Sequence, residues 1–391
     1  MTTTLNGQTD HQILFRDEIA GTSLSFRNPV EILNADTPDK LFEVFDAIEA
    51  YQAKGYWIAG YMSYEAGFCF EHKLRKQIPQ QRRANLAHFG IFEGPSTELG
   101  EDSSKLRNAL SSFSAPEPAW DFETYRQKFD TLTHHMRIGD CYQGNLTFPM
   151  NANWQGDPFE LFEKLADIQP VNHAAYVDLG GPILLSRSPE LFFQIDQKGW
   201  IESRPMKGTA PRGKTPAEDQ AIQDALKASN KDLSENVMIV DLLRNDLSHV
   251  CEAGSVNVPQ LYELKTYATV HQLVSRVRGK LSQGTRFSDI MRAIFPCGSV
   301  TGVPKMRAME ILCQLEDRTP REAYCGAIGW INPMGVMQFN VPIRTISLYD
   351  DHTAQFNVGG GVTLESTAEL EYEECLTKAK FAMELAAIYR S

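Results

Sequence analysis

Residues 325–361 read CGAIGWINPMGVMQFNVPIRTISLYDDHTAQFNVGGG, and the fold class turns on this stretch. Aromatic and β-branched residues recur in short runs, separated by turn chemistry at Asn332–Gly335 and Asp350–His352. The spacing predicts a meander of antiparallel strands. Pro342 falls inside it and predicts a bulge or an edge, because proline gives no N–H to a ladder.

Working outward, HAAYVDLG, PILLSRS and ELFFQID (173–196) read as successive antiparallel strands, split at Gly181-Pro182 and Ser188-Pro189. CYQGNLTFPM (141–150) and GWIESR (199–204) add two more, and GYWIAGYMSYEAGF (55–68) and ANLAHFGIFEG (84–94) supply strands near the N-terminus. Helical spacing marks LFEVFDAIEAYQAK (41–54), FETYRQKFDTLTHHMRIGD (122–140, ending near Gly139), PAEDQAIQDALKAS (216–229) and KDLSENVMIVDLLRNDLSHV (231–250). The last segment reads as a helix, with Ser366-Thr367-Ala368-Glu369 at capping-box spacing and apolar residues at Leu370, Phe381, Leu385 and Ile388. Strands and helices come in clusters without strict βα alternation, so the class is α+β with antiparallel sheets. Ser, Glu and Pro dominate Pro95–Trp120, which predicts a surface connection. It parts an N-terminal portion, 1–118, from a larger portion, 119–391, that holds the motifs taken up below, the two intertwined in one fold.

The chain has 391 residues, a formal charge of −12 and 42% hydrophobic residues. The acidic balance argues against a general nucleic-acid role, which needs clustered Lys and Arg. It also means that an anionic substrate needs a local pocket of positive groups. Seven cysteines without a C-x-x-C pair predict buried thiols in a reducing compartment, not a disulfide framework or a zinc site. No apolar run approaches the ~18 residues of a membrane span. The start, MTTTLNGQTDHQ, lacks a basic-then-apolar signal, so the expectation is a cytoplasmic protein with no membrane partner.

Several constellations bear on chemistry. Glu371, Glu374 and Lys378 fall within roughly a 60° arc of one helix. They form either a solvated acidic face or a pair of carboxylates for a hard cation such as Mg2+, which takes one or two carboxylates, waters and a substrate oxygen. The helix at 231–250 carries Glu235, Asp241 and Asp246 around an apolar stripe of Leu233, Val237, Val240 and Leu243. Asp232 and Glu235 also fit a capping box, a structural alternative for Glu235. PCGSVTGVPKMRAMEIL (296–312) places a Gly/Ser/Thr loop before a helix starting near Val303, with Pro304 in its first turn. It reads as an anion site at a helix N-terminus or as an ordinary turn. Gly359, Gly360 and Gly361 let backbone N–H groups approach a carboxylate. Arg344, on a strand among apolar residues, needs a carboxylate partner, internal or substrate. Glu190, beside Phe192 and Phe193, is a desolvated general acid or a solvent-facing strand start. Lys207, in SRPMKGTAPRG (203–213), is a solvated turn lysine or a reactive amine.

Nine of these words, in order over residues 120–391, resemble the chorismate-utilising enzymes: GDCYQGNLTF, SRSPELFF, SRPMKGTAPRG, SENVMIVDLLRND, PCGSVTGVPKMRAMEIL, YCGAIG, VPIRT, GGGV and EYEECLTKAK. GYWIAGYMSYEAGF is similar to the aminodeoxychorismate branch of that family. The resemblance implies a layered α/β/β/α fold with two packed, largely antiparallel sheets. It implies Mg2+ on Glu235, Glu371 and Glu374, holding the ring carboxylate of chorismate. It implies that Arg344, Tyr324, Lys378 and the Gly359–Gly361 backbone hold the substrate carboxylates, that Thr301 and Gly302 line the pocket, and that Glu190 is the acid–base group near the C4 hydroxyl. Such a pocket answers the charge problem of a chain at −12.

Two positions sort the branches. Water-adding members carry a lysine where Gln143 stands, which favours an ammonia-using chemistry here. Anthranilate-forming members generally carry alanine where Lys207 stands, and the aminodeoxychorismate branch typically carries lysine. The implied reaction turns chorismate and ammonia into 4-amino-4-deoxychorismate, on the way to 4-aminobenzoate and folate. Lys207 attacks C2 and expels the C4 hydroxyl, then ammonia enters C4 and expels the lysine. Gly144, Cys297 and Pro342 depart from the family pattern, and none removes a charged group. No G-x-C-x-G elbow is seen, so a glutamine amidotransferase subunit is expected in trans. No lyase extension is seen, so the expected product is the aminodeoxychorismate. An anthranilate synthase component I and a non-catalytic chorismate-binding regulator remain the rivals. TSLSFRNP, standing in place of an LLES-type stretch, weighs against tryptophan feedback.

Overall fold

The computed structural model describes residues 11–96, 111–267 and 270–389. Residues 1–10 of the N-terminal stretch, and 97–110 of the expected connection, lie outside the described residues. The chain opens with β1 (Gln12–Asp17), β2 (Thr22–Arg27) and β3 (Glu31–Ala35). Thr37 caps α1 (Pro38–Ala53), and Pro38 fits its first turn, where no N–H is needed. β4 (Trp57–Met62) and β5 (Ala87–Phe92) follow. The strand expected through Phe68 stops at Met62. Tyr64–Phe70 is a tight 3-10 turn, anchored where the Glu65 carboxylate accepts the Arg321 and Glu322 amides.

β6 (Ser112–Phe113) and β7 (Glu117–Pro118) pair with the long β8 (Gln143–Gln155), so that end of the connection joins a sheet. α2 (Phe122–Arg137) and α3 (Pro158–Ile168) start on Asp121 and Asp157, whose carboxylates accept first-turn amides. β9 (His173–Asp178), β10 (Ile183–Ser188), β11 (Leu191–Ile195), β12 (Trp200–Ser203) and β13 (Met206–Pro211) lead to α4 (Pro216–Ala228) and α5 (Asn230–Ser248). Then come β14 (Asn257–Thr266), β15 (Val270–Lys280), α6 (Phe287–Ile294), β16 (Gly302–Val303) and α7 (Lys305–Leu315). The chain closes with β17 (Ala327–Ile331), β18 (Met337–Asn340), β19 (Thr345–Leu348), β20 (Thr353–Val362), α8 (Ala368–Lys378) and α9 (Lys380–Ile388).

The strands make two ten-stranded antiparallel sheets. One runs β16-β8-β20-β19-β10-β9-β1-β2, and the other β13-β15-β12-β11-β18-β17-β4-β5-β3. Strands from before and after residue 118 share both sheets. Ile13, Phe26, Tyr61, Phe92, Val177, Leu184 and Ile328 pack between the sheets. Apolar faces of α1, α5 and α6 cover the second sheet, and those of α2, α3, α8 and α9 cover the first. The result is the layered α/β/β/α arrangement of an α+β protein.

The 325–361 stretch is not one meander. β17 and β18 belong to the second sheet, β19 and β20 to the first, and the chain changes sheet across Val341–Arg344. β10 and β11 are likewise in different sheets, joined across Pro189 and Glu190. Proline suits both crossings, where its missing N–H leaves no ladder bond unmade. The crossings lie side by side. Ser188 Oγ donates to Val341 O at 2.6 Å, Val341 N to Glu190 O at 3.1 Å, and Arg187 N to Arg344 O at 3.0 Å. Pro342 therefore marks a sheet change rather than a bulge, and Arg344 lies off the strand, in the left-handed region at φ 52.

Three helices also differ from expectation. On α5 the buried face is Asn236, Ile239, Val240, Leu243, Asp246 and Leu247, while Val237 is exposed. Asp246 is paired with Lys305 at 2.6 Å, and Asn236 accepts from Ser275 Oγ at 2.6 Å, which makes both polar groups tolerable inside. α7 begins at Lys305, with Pro304 extended just before it. The C-terminal segment breaks at Ala379 into α8 and α9, leaving Leu370 and Ile388 exposed.

Candidate active site

A cavity of about 660 Å3 opens between the sheet crossings, β13, α5 and α8. Its size suits one small ligand. Glu190, Lys207, Glu235, Tyr324, Arg344, Gly359, Gly361, Glu371, Glu374 and Lys378 all line it, drawn from segments that are distant in sequence.

Glu190 leaves the first crossing and is 4% exposed. Burial pushes its carboxyl up to about 7, against the opposing pull of the Ser299 hydroxyl and the Lys207 charge. Ser299 Oγ donates to Glu190 Oε1 at 2.7 Å, and Cys297 Sγ lies 3.2 Å behind that hydroxyl. Ser299 lines the cavity and was not singled out from the sequence, where a serine in a Gly/Ser/Thr loop carries no distinguishing signal.

Lys207 rides on β13, the edge strand of the second sheet. The β13–β15 register slips between Met206 and Thr209, and Gly208 sits in the slip at φ +90. Such an irregularity re-aims a side chain. A Cβ on Gly361 would lie 3.1 Å from Lys207 Nζ and 2.6 Å from Gln143 Nε2. Glycine at 361 is thus the space into which both nitrogens reach. Among the described residues no carboxylate lies within ion-pair distance of Lys207. Gln143 itself is buried behind Gly361, with Oε1 lacking a hydrogen-bond partner among the described residues.

The strand end beyond Lys207 is fastened. Asp219 accepts from Arg212 Nε and Nη2 at 2.9 and 3.0 Å, from Gly213 N at 2.8 Å, and from His271 Nε2 at 2.9 Å. Arg212 Nη1 also donates to Tyr267 O at 2.9 Å.

Arg344 has no carboxylate partner among the described residues, and burial alone pulls it down from its ordinary range. Lys378 Nζ donates to Gly359 O at 2.7 Å and pairs with Glu374 at 2.8 Å. Burial opposes ionisation of Glu374, but Lys378 outweighs it and holds that carboxyl below the usual range. Tyr324 is buried, and its hydroxyl is pushed up by that burial.

The carboxylates expected at a metal share the cavity. Ser229, not Asp232, caps α5, so Glu235 forms no capping box and its side chain turns to the cavity. Burial pushes Glu235 up. Glu371 Oε1 accepts from Ser366 Oγ at 2.7 Å, and a Cβ on Gly360 would lie 2.8 Å from Glu371 Oε2. Gly360 is thus the clearance for Glu371 rather than a lining residue. Lys231 stands 4.0 Å from Glu235 and 3.7 Å from Glu371. Among the described residues no three acidic, histidine or cysteine side chains are drawn together into a preformed metal cage. The donor set is nevertheless all oxygen, and a lysine cation already sits between two of its members. Both features suit Mg2+. Asp232, which the sequence offers only as a capping-box partner, and Lys231, which it does not single out, line the same cavity.

Thr301 and Gly302 do not line it. Thr301 Oγ1 is spent on Cys297 O and Gly298 O, and a Cβ on Gly302 would meet Gln143 O at 2.3 Å, because β16 lies against β8 there. The N-terminus of α7 faces a separate cleft, through Val303, Pro304 and Lys305.

A family model for chorismate binding enzymes matches residues 8–384. The chain belongs to the chorismate binding enzyme family. Aminodeoxychorismate synthase of Streptomyces pristinaespiralis is 43% identical over 256 residues, and aminodeoxychorismate synthase component 1 of Klebsiella aerogenes 41% identical over 305. These alignments cover 66% and 77% of this chain but only 35% and 66% of the relatives' own lengths. The component 1 of Bacillus subtilis is 34% identical over 354 residues, covering 90% of this chain and 71% of that protein. Anthranilate synthase component I from Streptococcus pneumoniae has the same fold, with a TM-score of 0.77 at 24% identity over 97% of this chain and 94% of that one. No helix among the described residues is long and apolar enough to cross a membrane.

Proposed function

We propose that the protein is the synthase component of an aminodeoxychorismate synthase, replacing the C4 hydroxyl of chorismate by an amino group. The observation that carries this reading is the aim of Lys207 Nζ into the cavity that also holds the buried Glu190 carboxyl. The relatives named above support it, and so does Arg344, whose guanidinium has no carboxylate partner among the described residues to give up before it meets an anion.

Lys207 attacks C2 as the neutral amine, both conjugated ring double bonds shift toward C4, and the C4–O bond breaks. Glu190 gives its proton to the departing hydroxyl, which leaves as water. Ammonia then forms a bond at C4, the C2–Nζ bond breaks, and the electron pair returns to Lys207. Splitting the substitution lets each allylic displacement proceed through an ordinary leaving group. Arg344 and Lys378 meet the substrate carboxylates. Glu235, Glu371 and Glu374 would hold Mg2+, which supplies positive charge opposite a substrate carboxylate. The carboxyl of Glu190, held up near 7 by burial, is protonated in a useful fraction at neutral pH.

Ammonia is mostly protonated at that pH, so the reading includes a glutamine amidotransferase subunit as its source, and a place in the cytoplasm on the route to 4-aminobenzoate and folate. The test is mass spectrometry of products from chorismate, Mg2+ and ammonium. Wild type should give aminodeoxychorismate and Lys207→Ala should not. Pyruvate and anthranilate from the wild type would overturn the reading in favour of an anthranilate synthase.

A further inference from the structure

Two carboxylates of the cavity, Glu235 and Glu371, have side chains only 15% and 4% exposed. Buried carboxylates need a nearby cation. Lys378 is committed to Glu374 and to the Gly359 carbonyl. Among the described residues Lys207 has no carboxylate in ion-pair reach, although its charge acts on Glu235 from further off. The ion pairs of Glu235 and Glu371 among the described residues are both with Lys231, at 4.0 and 3.7 Å. Lys231 stands in the first turn of α5, and its side chain is 47% exposed on a flexible stem. It can swing into solvent without disturbing the helix. Glu235, one turn further along α5, and Glu371, on α8, cannot.

We propose that the Lys231 ammonium is a built-in stand-in for the divalent ion. It holds Glu235 and Glu371 together in the metal-free protein and gives up that position when Mg2+ binds. The inference rests on the metal reading above and adds a competitor to it. Removing the ammonium should act in opposite directions on the two states. The metal-free protein loses its bridging charge and becomes less stable. The metal meets no rival and binds more tightly.

The experiment is calorimetric titration of MgCl2 into the full chain as wild type, Lys231→Met and Lys231→Arg, with thermal melts in EDTA alongside. Lys231→Met should lower the Mg2+ Kd about three- to tenfold, the scale of one or two partly exposed ion pairs, and lower the Tm in EDTA. Lys231→Arg keeps the charge and should stay close to wild type in both. A Kd in Lys231→Met equal to or weaker than wild type overturns this inference and leaves the metal reading standing. Absence of Mg2+ binding in wild type and both variants overturns the metal reading and the inference together.

Discussion

The Ser299 hydroxyl donates to Glu190 Oε1 across 2.7 Å, at the point where the chain passes from one sheet to the other. The bond favours the carboxylate, burial favours the acid, and burial prevails, with the carboxyl at about 7. The proton needed by the leaving hydroxyl is present below that value and lost above it. With free ammonia held constant, kcat/KM for chorismate should fall as pH rises through about 7. Ser299→Ala removes the bond that stabilises the carboxylate, so the fall should move to higher pH. A limb that stays in place in that variant contradicts the assignment.

Glu190 also bears on stability. Its folded value lies above the ordinary 4.5, so ionisation costs the folded state more than the unfolded one. That cost is absent below 4.5, builds as pH rises toward about 7, and is constant above. At about 1.4 kcal/mol per pKa unit, it amounts to a few kcal/mol. Glu190→Gln should abolish amination and yet raise Tm by several degrees at pH 8, with the gain shrinking toward pH 5. An unchanged Tm at both pH values refutes the buried-acid account.

Among the described residues Arg344 has no carboxylate partner to orphan. Arg344→Gln should therefore leave Tm nearly unchanged while raising KM for chorismate roughly ten- to a hundredfold, the worth of a charge-assisted hydrogen bond. A large loss of Tm with KM intact would assign the residue to the fold alone.

Gly361 leaves the space that Lys207 Nζ and Gln143 Nε2 share. Gly361→Ala places a methyl group where those side-chain ends lie, and both can move aside. The expected result is a loss of kcat on the order of ten- to a hundredfold with modest change in Tm, because displacement of a reacting group by an ångström is costly. Wild-type kcat in this variant contradicts the placement of Lys207.

Asp219 ties down the far end of the strand that carries Lys207. Asp219→Ala should lower kcat about tenfold while KM for chorismate changes little, since Arg344 and Lys378 sit on other elements. A raised KM with unchanged kcat would show that the latch serves the cavity wall and not the lysine.

Much of this was legible in the sequence. Strand alternation, helical spacing over 41–54 and 122–140, and the order of the motifs carry the α+β class and most of the cavity. The sheet changes were not legible. A proline between two strand runs reads the same whether the chain turns back or crosses over, and Pro189 and Pro342 do the latter. The buried face of α5 was misplaced because Asn236 and Asp246 look like surface residues until Ser275 and Lys305 are brought to them from afar. Thr301 and Gly302 stand in the motif word, but neighbouring backbone claims them, and Ser299 and Val300 face the cavity instead. The role of Arg212 depended on Asp219 and His271, which no local pattern joins to it.

The measurement that bears most directly on the central claim is the intact mass of the protein after brief exposure to chorismate and Mg2+ without ammonia, followed by acid quench and peptide mapping. The account predicts a gain equal to one chorismate less one water, located on the peptide holding Lys207 and missing from Lys207→Ala. An unmodified Lys207 in protein that goes on to make aminodeoxychorismate when ammonia is added would contradict it.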